Sequence, residues 1–198
     1  TLSIDGNSST SFSVTFDPSA DGARTATITI SSDDSDEGTY NFNITGTGTA
    51  TSGCDELFIS EYIEGSSNNK FIELYNPTSS SIDLSANSYD LVIYSNGSAT
   101  VTNTLSLTGT IAAYSTFIIE NSSESLTVTA DLSTSSPVLG FNGDDTIALR
   151  KSSIILDVIG QIGTDPGSEW TGTTCTQGTA NGVLRRNATI TTGDIDGS

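Results

Sequence analysis

The run from Phe58 to Pro77, FISEYIEGSSNNKFIELYNP, constrains the fold more than any other part of the chain, because it reads as two strands with a charge conflict between them. Two short apolar runs alternate with the strand period and flank Gly65, Ser66, Ser67, Asn68 and Asn69, all turn-forming residues. A symmetric closure sets Glu64 opposite Lys70, Ile63 opposite Phe71, Tyr62 opposite Ile72 and Glu61 opposite Glu73. Two carboxylates directly opposite each other destabilise a strand pair. A metal cation, an arginine, a proton or a different register must therefore answer the pair.

The rest of the chain agrees with strands rather than helices. Ser, Thr and Gly dominate, apolar residues come in short runs, and no long stretch repeats them at helical spacing, so an all-β chain with many turns is expected. Residues 1–50 hold three strand patterns: Phe12, Val14 and Phe16; Ala26, Ile28 and Ile30; Tyr40, Phe42 and Ile44. They predict one small sheet with one apolar face, which a lone sheet cannot bury. A small, uncharged stretch from Thr45 to Gly53 places a domain boundary near residue 50, with a second domain over 51–198. There, strands are predicted over Leu57 to Ile63, Phe71 to Asn76, Tyr89 to Tyr94, Thr104 to Leu107, Phe117 to Glu120, Leu126 to Thr129, Thr146 to Lys151 and Ile154 to Ile159. Thr164 to Gly182, carrying the single Trp170, reads as a long loop.

Twenty-four acidic residues against six Lys and Arg give a net charge of −18, with no His. Such a field repels phosphate backbones and anionic membranes, and it keeps a protein soluble. No run is long enough to span a membrane. Cys54 and Cys175 are expected to pair in a disulfide, worth roughly 4 kcal/mol in the chain-entropy model. The lack of His excludes a Cys-His nucleophile, and neither a Gly-x-Ser-x-Gly turn nor a phosphate loop occurs, so no enzyme is expected. A chain that starts at Thr1 and contains no Met is expected to be part of a longer protein.

Glu61 and Glu73 have two chemical readings. One is a Ca²⁺ site, with Glu64 or Asn68 adding oxygen donors. The other is an ion pair with Arg150, Arg185 or Arg186, since an arginine fork can serve two carboxylates. The arginine reading is favoured because two strand carboxylates supply too few ligands for calcium. The acidic turn around Asp33, Asp34, Asp36 and Glu37 reads as a solvated hairpin tip. The loop Gly65 to Asn69 and Trp170 are the candidate contact surface, and the arginines form the single small patch that a nucleic acid could touch.

Two resemblances add to this reading. FSVTFDP through SSDDSDEGTYNFNITGTGTA resembles the C-terminal half of the immunoglobulin-like repeats called choice-of-anchor D or Hydin-like, implying a partial repeat whose first half is absent. KFIELYN, TIAAYSTFII and DDTIALRK, in that order, are similar to the lamin tail domain, over Cys54 to about Asp196. That resemblance implies an immunoglobulin-like β-sandwich without catalytic residues. The acidic, EGSSNNK-bearing form looks like the bacterial branch of secreted or cell-surface proteins. A non-catalytic interaction or spacer module is therefore expected, with an accessory domain for an extracellular nuclease or phosphatase, or a calcium-dependent adhesive module, as alternatives. Its expected partners are neighbouring domains, other surface proteins, and a second copy meeting the incomplete N-terminal sheet.

Overall fold

A computed structural model of the chain describes residues 7–14, 22–36, 38–48, 56–172 and 178–197. Cys54 and Cys175, the expected disulfide, lie outside these residues, as do Phe16 and Glu37. The chain divides into two compact units, 1–52 and 53–198. Strands form both, and no α-helix occurs among the described residues.

The first unit is a long antiparallel hairpin of β1 (Gly22–Ser31) and β2 (Thr39–Gly48). Its register sets Ala26 opposite Ile44, Ile28 opposite Phe42 and Ile30 opposite Tyr40, so the apolar residues share one face. Thr27 and Asn43 hydrogen-bond on the other face. Of the strand expected at Phe12, Val14 and Phe16, the described part, residues 7–14, pairs with no described strand, and Phe12 and Val14 are exposed. A third strand would need a ladder along β1 or β2, and the described residues show only the pairing of β1 with β2.

The second unit is an immunoglobulin-like β-sandwich. Its strands are β3 (Phe58–Glu64), β4 (Lys70–Tyr75), β5 (Ile82–Asp83), β6 (Tyr89–Tyr94), β7 (Asn103–Ser106), β8 (Thr110–Ile111), β9 (Thr116–Asn121), β10 (Leu132–Thr134), β11 (Thr146–Lys151), β12 (Ile154–Ile159) and β13 (Val183–Arg185). One sheet runs β10-β9-β4-β3-β13, the facing sheet runs β12-β11-β6-β7, and β5 with β8 makes a small third pair. Inward-facing Ile59, Tyr62, Ile72 and Leu74 meet Leu91, Ile93, Ile147 and Leu149 in one buried cluster. Each such side chain stabilises by about 1.5–3 kcal/mol on burial. Val92, Tyr94, Ala148 and Val158 form a second cluster, which is why β6 is buried at consecutive positions.

Leu126 to Thr129, expected as a strand, is an exposed loop. The place beside β9 is taken by β10, running parallel to it, and Asp131 anchors the approach. Its carboxylate accepts the Ile118 N–H at 2.8 Å while its own N–H donates to the Ile118 carbonyl at 2.9 Å.

A buried carboxylate closes one side of the sandwich. Asp157 on β12 is fully buried, and it accepts the N–H groups of Ile59 at 2.7 Å, Val158 at 3.0 Å and Asp194 at 2.9 Å. The Arg186 guanidinium pairs with the same carboxylate and donates to the Ile59 carbonyl at 2.8 Å. Burial pushes the Asp157 carboxyl above its ordinary range, against the pull of Arg186 and of the three N–H groups. Breaking one partner of a buried pair costs about 3–5 kcal/mol. Asp157→Ala is therefore expected to lower stability in urea unfolding by about 3–5 kcal/mol, and a loss under about 1 kcal/mol would show that this clasp does not join the sheets.

Candidate functional site

The hairpin of β3 and β4 has the register read from its sequence: Glu64 opposite Lys70, Ile63 opposite Phe71, Tyr62 opposite Ile72 and Glu61 opposite Glu73. The charge conflict is real, and the chain answers it with two different groups. Arg185 on β13 lies directly across from Glu61 and donates Nε and Nη2 to Glu61 Oε2 at 3.2 and 2.9 Å. Glu73 takes no arginine. Between Ile59 and Glu61 the register slips, as a β-bulge does, and Ser60 donates its hydroxyl to Glu73 Oε1 at 2.7 Å. No single fork serves both glutamates.

Arg150 corrects the expectation that it joins this pair. It sits on β11 in the facing sheet, opposite Asp90 of β6, and donates Nε and Nη2 to both carboxylate oxygens at 2.8 Å. That two-pronged geometry engages the guanidinium fully.

Glu64, offered as an added calcium donor, is committed elsewhere. It is buried with Lys70, whose Nζ donates to Glu64 Oε1 at 2.6 Å and to the Gly65 carbonyl at 2.9 Å, while Glu64 Oε2 accepts the Asn181 N–H at 2.8 Å. A calcium ion here would have to displace an ammonium and an amide. Among the described residues no group of three or more His, Cys, Asp or Glu side chains is placed to hold a metal ion.

The contact loop is pinned at its base and open at its tip. Gly65 N–H donates to the Asn69 carbonyl at 2.7 Å, Asn69 Oδ1 accepts from Ser125 N–H at 2.8 Å, and Ser66 to Asn68 are exposed. Trp170 is half-buried, not a free anchor. Its backbone N–H donates to Thr179 Oγ1 at 2.9 Å, and Gly160, with φ of 87°, lies so near that a Cβ there would sit 2.6 Å from the indole nitrogen. The Trp170 backbone N–H also lies 3.3 Å from the Gly143 carbonyl, so the described part of this loop around Trp170 and Thr179 packs on the end of the sandwich that carries Asp144 and Asp145.

That end holds Asp144 and Asp145, which after Asn142-Gly143 read in the sequence as part of a turn. Asp145 accepts the N–H groups of Asn96 and Asn142 at 3.0 and 3.1 Å and so closes its turn, whereas Asp144 Oδ1 is buried with no partner. Burial, then the neighbouring Asp145, raises the Asp144 carboxyl above the ordinary range, and burial raises the Tyr62 phenol beside it. A raised carboxyl pKa means that the folded state binds the proton more tightly. Its contribution is present at low pH and is lost as pH rises through the folded-state value.

Beyond the arginines, sequence reasoning missed β13 itself. It spans Val183–Arg185, too short to show any alternation, and the turn Asn181-Gly182 before it was its one signal.

Two measurements follow from this geometry. Lys70→Ala is expected to cost about 3–5 kcal/mol, because Glu64 stays buried, whereas Arg185→Ala costs about 1 kcal/mol or less, the guanidinium itself being 75% exposed; urea unfolding separates the two. Asp144→Asn is expected to raise the melting temperature at about pH 7 and to leave it unchanged near pH 3, where the carboxyl is protonated in both states. An equal shift at both values would mean that charge is not the cause.

A search of curated protein sequences finds no match. The family profile of the lamin tail domain matches residues 50–163, which takes in β3 to β12 and ends before β13. With that match over more than half of the chain, and with the sandwich described above, the chain belongs to the lamin tail domain family.

Proposed function

We propose that the chain is a non-catalytic interaction or spacer module of a larger secreted or cell-surface bacterial protein, in which a partial choice-of-anchor D or Hydin-like sheet precedes the lamin tail sandwich. The observation that carries this reading is the use made of the buried charges. Glu64 meets Lys70, Asp157 meets Arg186 and Asp90 meets Arg150, each within or across the sheets. These groups brace the sandwich instead of converging on one point where a reacting atom could sit. Loops and strand edges are left to make contacts, as on other sandwiches. No described helix is long and apolar enough to cross a membrane. The acidic, Ser- and Thr-rich surface supports an extracellular setting, and the apolar face of the β1–β2 hairpin supports completion by strands of a neighbouring domain.

The nuclease-accessory alternative needs cations aimed at phosphates. Arg186 is turned inward to Asp157, which leaves the outward side of one paired guanidinium, Arg185, on a chain of net charge −18, too little to hold a phosphate backbone. Purified chain is expected to give no turnover of plasmid DNA or an aryl phosphate, no gel shift of duplex DNA at low salt, and one melting temperature with Ca²⁺ or with chelator. Turnover that follows the folded chain through purification would overturn the non-catalytic reading. A salt-sensitive gel shift lost in Arg185→Ala would favour the accessory reading, and a calcium-dependent rise in melting temperature the adhesive one.

A further inference from the structure

The two sheets treat their outer edges differently. On β12 the edge is sealed by the chain itself, since Val158 N–H donates to the Asp194 carbonyl at 2.7 Å. The edge at β13 pairs with no described strand on its outer side. Its bonds to β3 fix where its other polar groups point. Glu64 N–H donates to the Gly182 carbonyl at 2.9 Å and Arg186 N–H to the Ser60 carbonyl at 2.9 Å, so residues 182, 184 and 186 face β3. The N–H and C=O groups of Val183 and Arg185 therefore face away from it.

Beside this edge lies a recess of about 170 Å³ lined by the apolar side chains of Ile59, Tyr62, Ile159 and Leu184 together with Ser60, Glu61, Arg185 and Arg186. Small-molecule pockets run to about 300–1,000 Å³, so this one has room for a single side chain. On the outer face the Arg185 side chain is 75% exposed while its counter-ion Glu61 is 12% exposed. Whatever approaches the edge meets the guanidinium before the carboxylate.

We propose that the β13 edge takes up an extended peptide as an added strand, and that the peptide carries an apolar residue next to an acidic one. Adjacent residues of a strand point to opposite faces, so the apolar side chain enters the recess beside Leu184 while the carboxylate reaches Arg185. Main-chain bonds to Val183 and Arg185 supply affinity, and the two side chains supply the choice of sequence. This rests on the interaction-module reading and names its partner as an acidic, extended peptide. A second copy of the chain is disfavoured as the occupant, because each copy carries a net charge of −18.

The test is a titration of the ¹⁵N-labelled full chain with a capped octapeptide of alternating Thr and Val carrying a central Leu-Glu step. Amide shifts are expected to be confined to Ile59 to Tyr62, Ile159 and Val183 to Arg186. Val183→Pro removes an N–H that the ladder to β3 does not use, and is expected to weaken binding about tenfold with the melting temperature kept. Should that variant unfold, Arg185→Gln reads the same edge: it is expected to erase the preference for the Glu peptide over one with Lys in its place. No shifts at millimolar peptide would overturn the proposal, as would equal affinity for the Glu and Lys peptides or a chain that dimerises through β13 without peptide. Shifts centred on Gly65 to Asn69 would overturn it while leaving the interaction-module reading in place.

Discussion

The sandwich depends on Asp157. A carboxylate with no solvent contact is tolerated only when its lone pairs are taken up, and here three backbone N–H groups and one guanidinium do so. The donors come from four places: β3 through Ile59, β12 through Val158, the C-terminal segment through Asp194, and the residue after β13 through Arg186. Packing alone would hold the sheets face to face. The shared carboxylate fixes how their edges sit at one side, and it brings the last part of the chain onto both sheets at once.

This clasp also explains why the charge conflict in the hairpin costs little. Arg186 turns inward to Asp157, and the strand alternation then turns Arg185 outward, directly across from Glu61. One Arg-Arg step thus serves a buried acid on one face and a strand acid on the other. Glu73, out of reach of that step, is met by the bulge at Ser60, which adds a residue to β3 and swings a hydroxyl under the carboxylate. The bulge also resets the alternation, so that Ile59 rather than Phe58 shares the inward face of Tyr62, and both Phe58 and Ile59 are buried, on opposite faces. Phe58 packs edge-on against Tyr75 while Ile59 joins the core.

The parts of this fold that were legible in the sequence are those set by local pattern. β6, β11 and β12 fall where alternation placed them, and the hairpin register from Glu61 to Glu73 followed from turn residues and symmetry. What was not legible depends on tertiary partners. Leu126 to Thr129 has a strand-like composition but no edge to join, because β10 occupies it in parallel. β13 is short and unpatterned, and it is a strand only because Arg186 and Glu64 hold both ends of it against β3. The destination of each arginine was equally hidden: Arg150 and Arg185 both follow strand-like residues, and only the sheet order sends one to Asp90 and the other to Glu61.

Sealing an edge and leaving one open have different physical consequences. An edge strand with unpaired N–H and C=O groups is a template for other chains, and proteins blunt it with charge, brevity or cover. The β12 edge has cover, supplied by the Asp194 segment. The β13 edge has brevity and one exposed guanidinium, measures that discourage long, indiscriminate pairing but leave room for a short strand of matching charge. A like chain, with its excess of carboxylates, is kept away by its overall field, whereas one carboxylate on a short peptide interacts chiefly with the nearby Arg185, since charges beyond about 10 Å are screened at ordinary salt. The same strand that closes the sandwich is therefore the part of its surface best suited to selective contact.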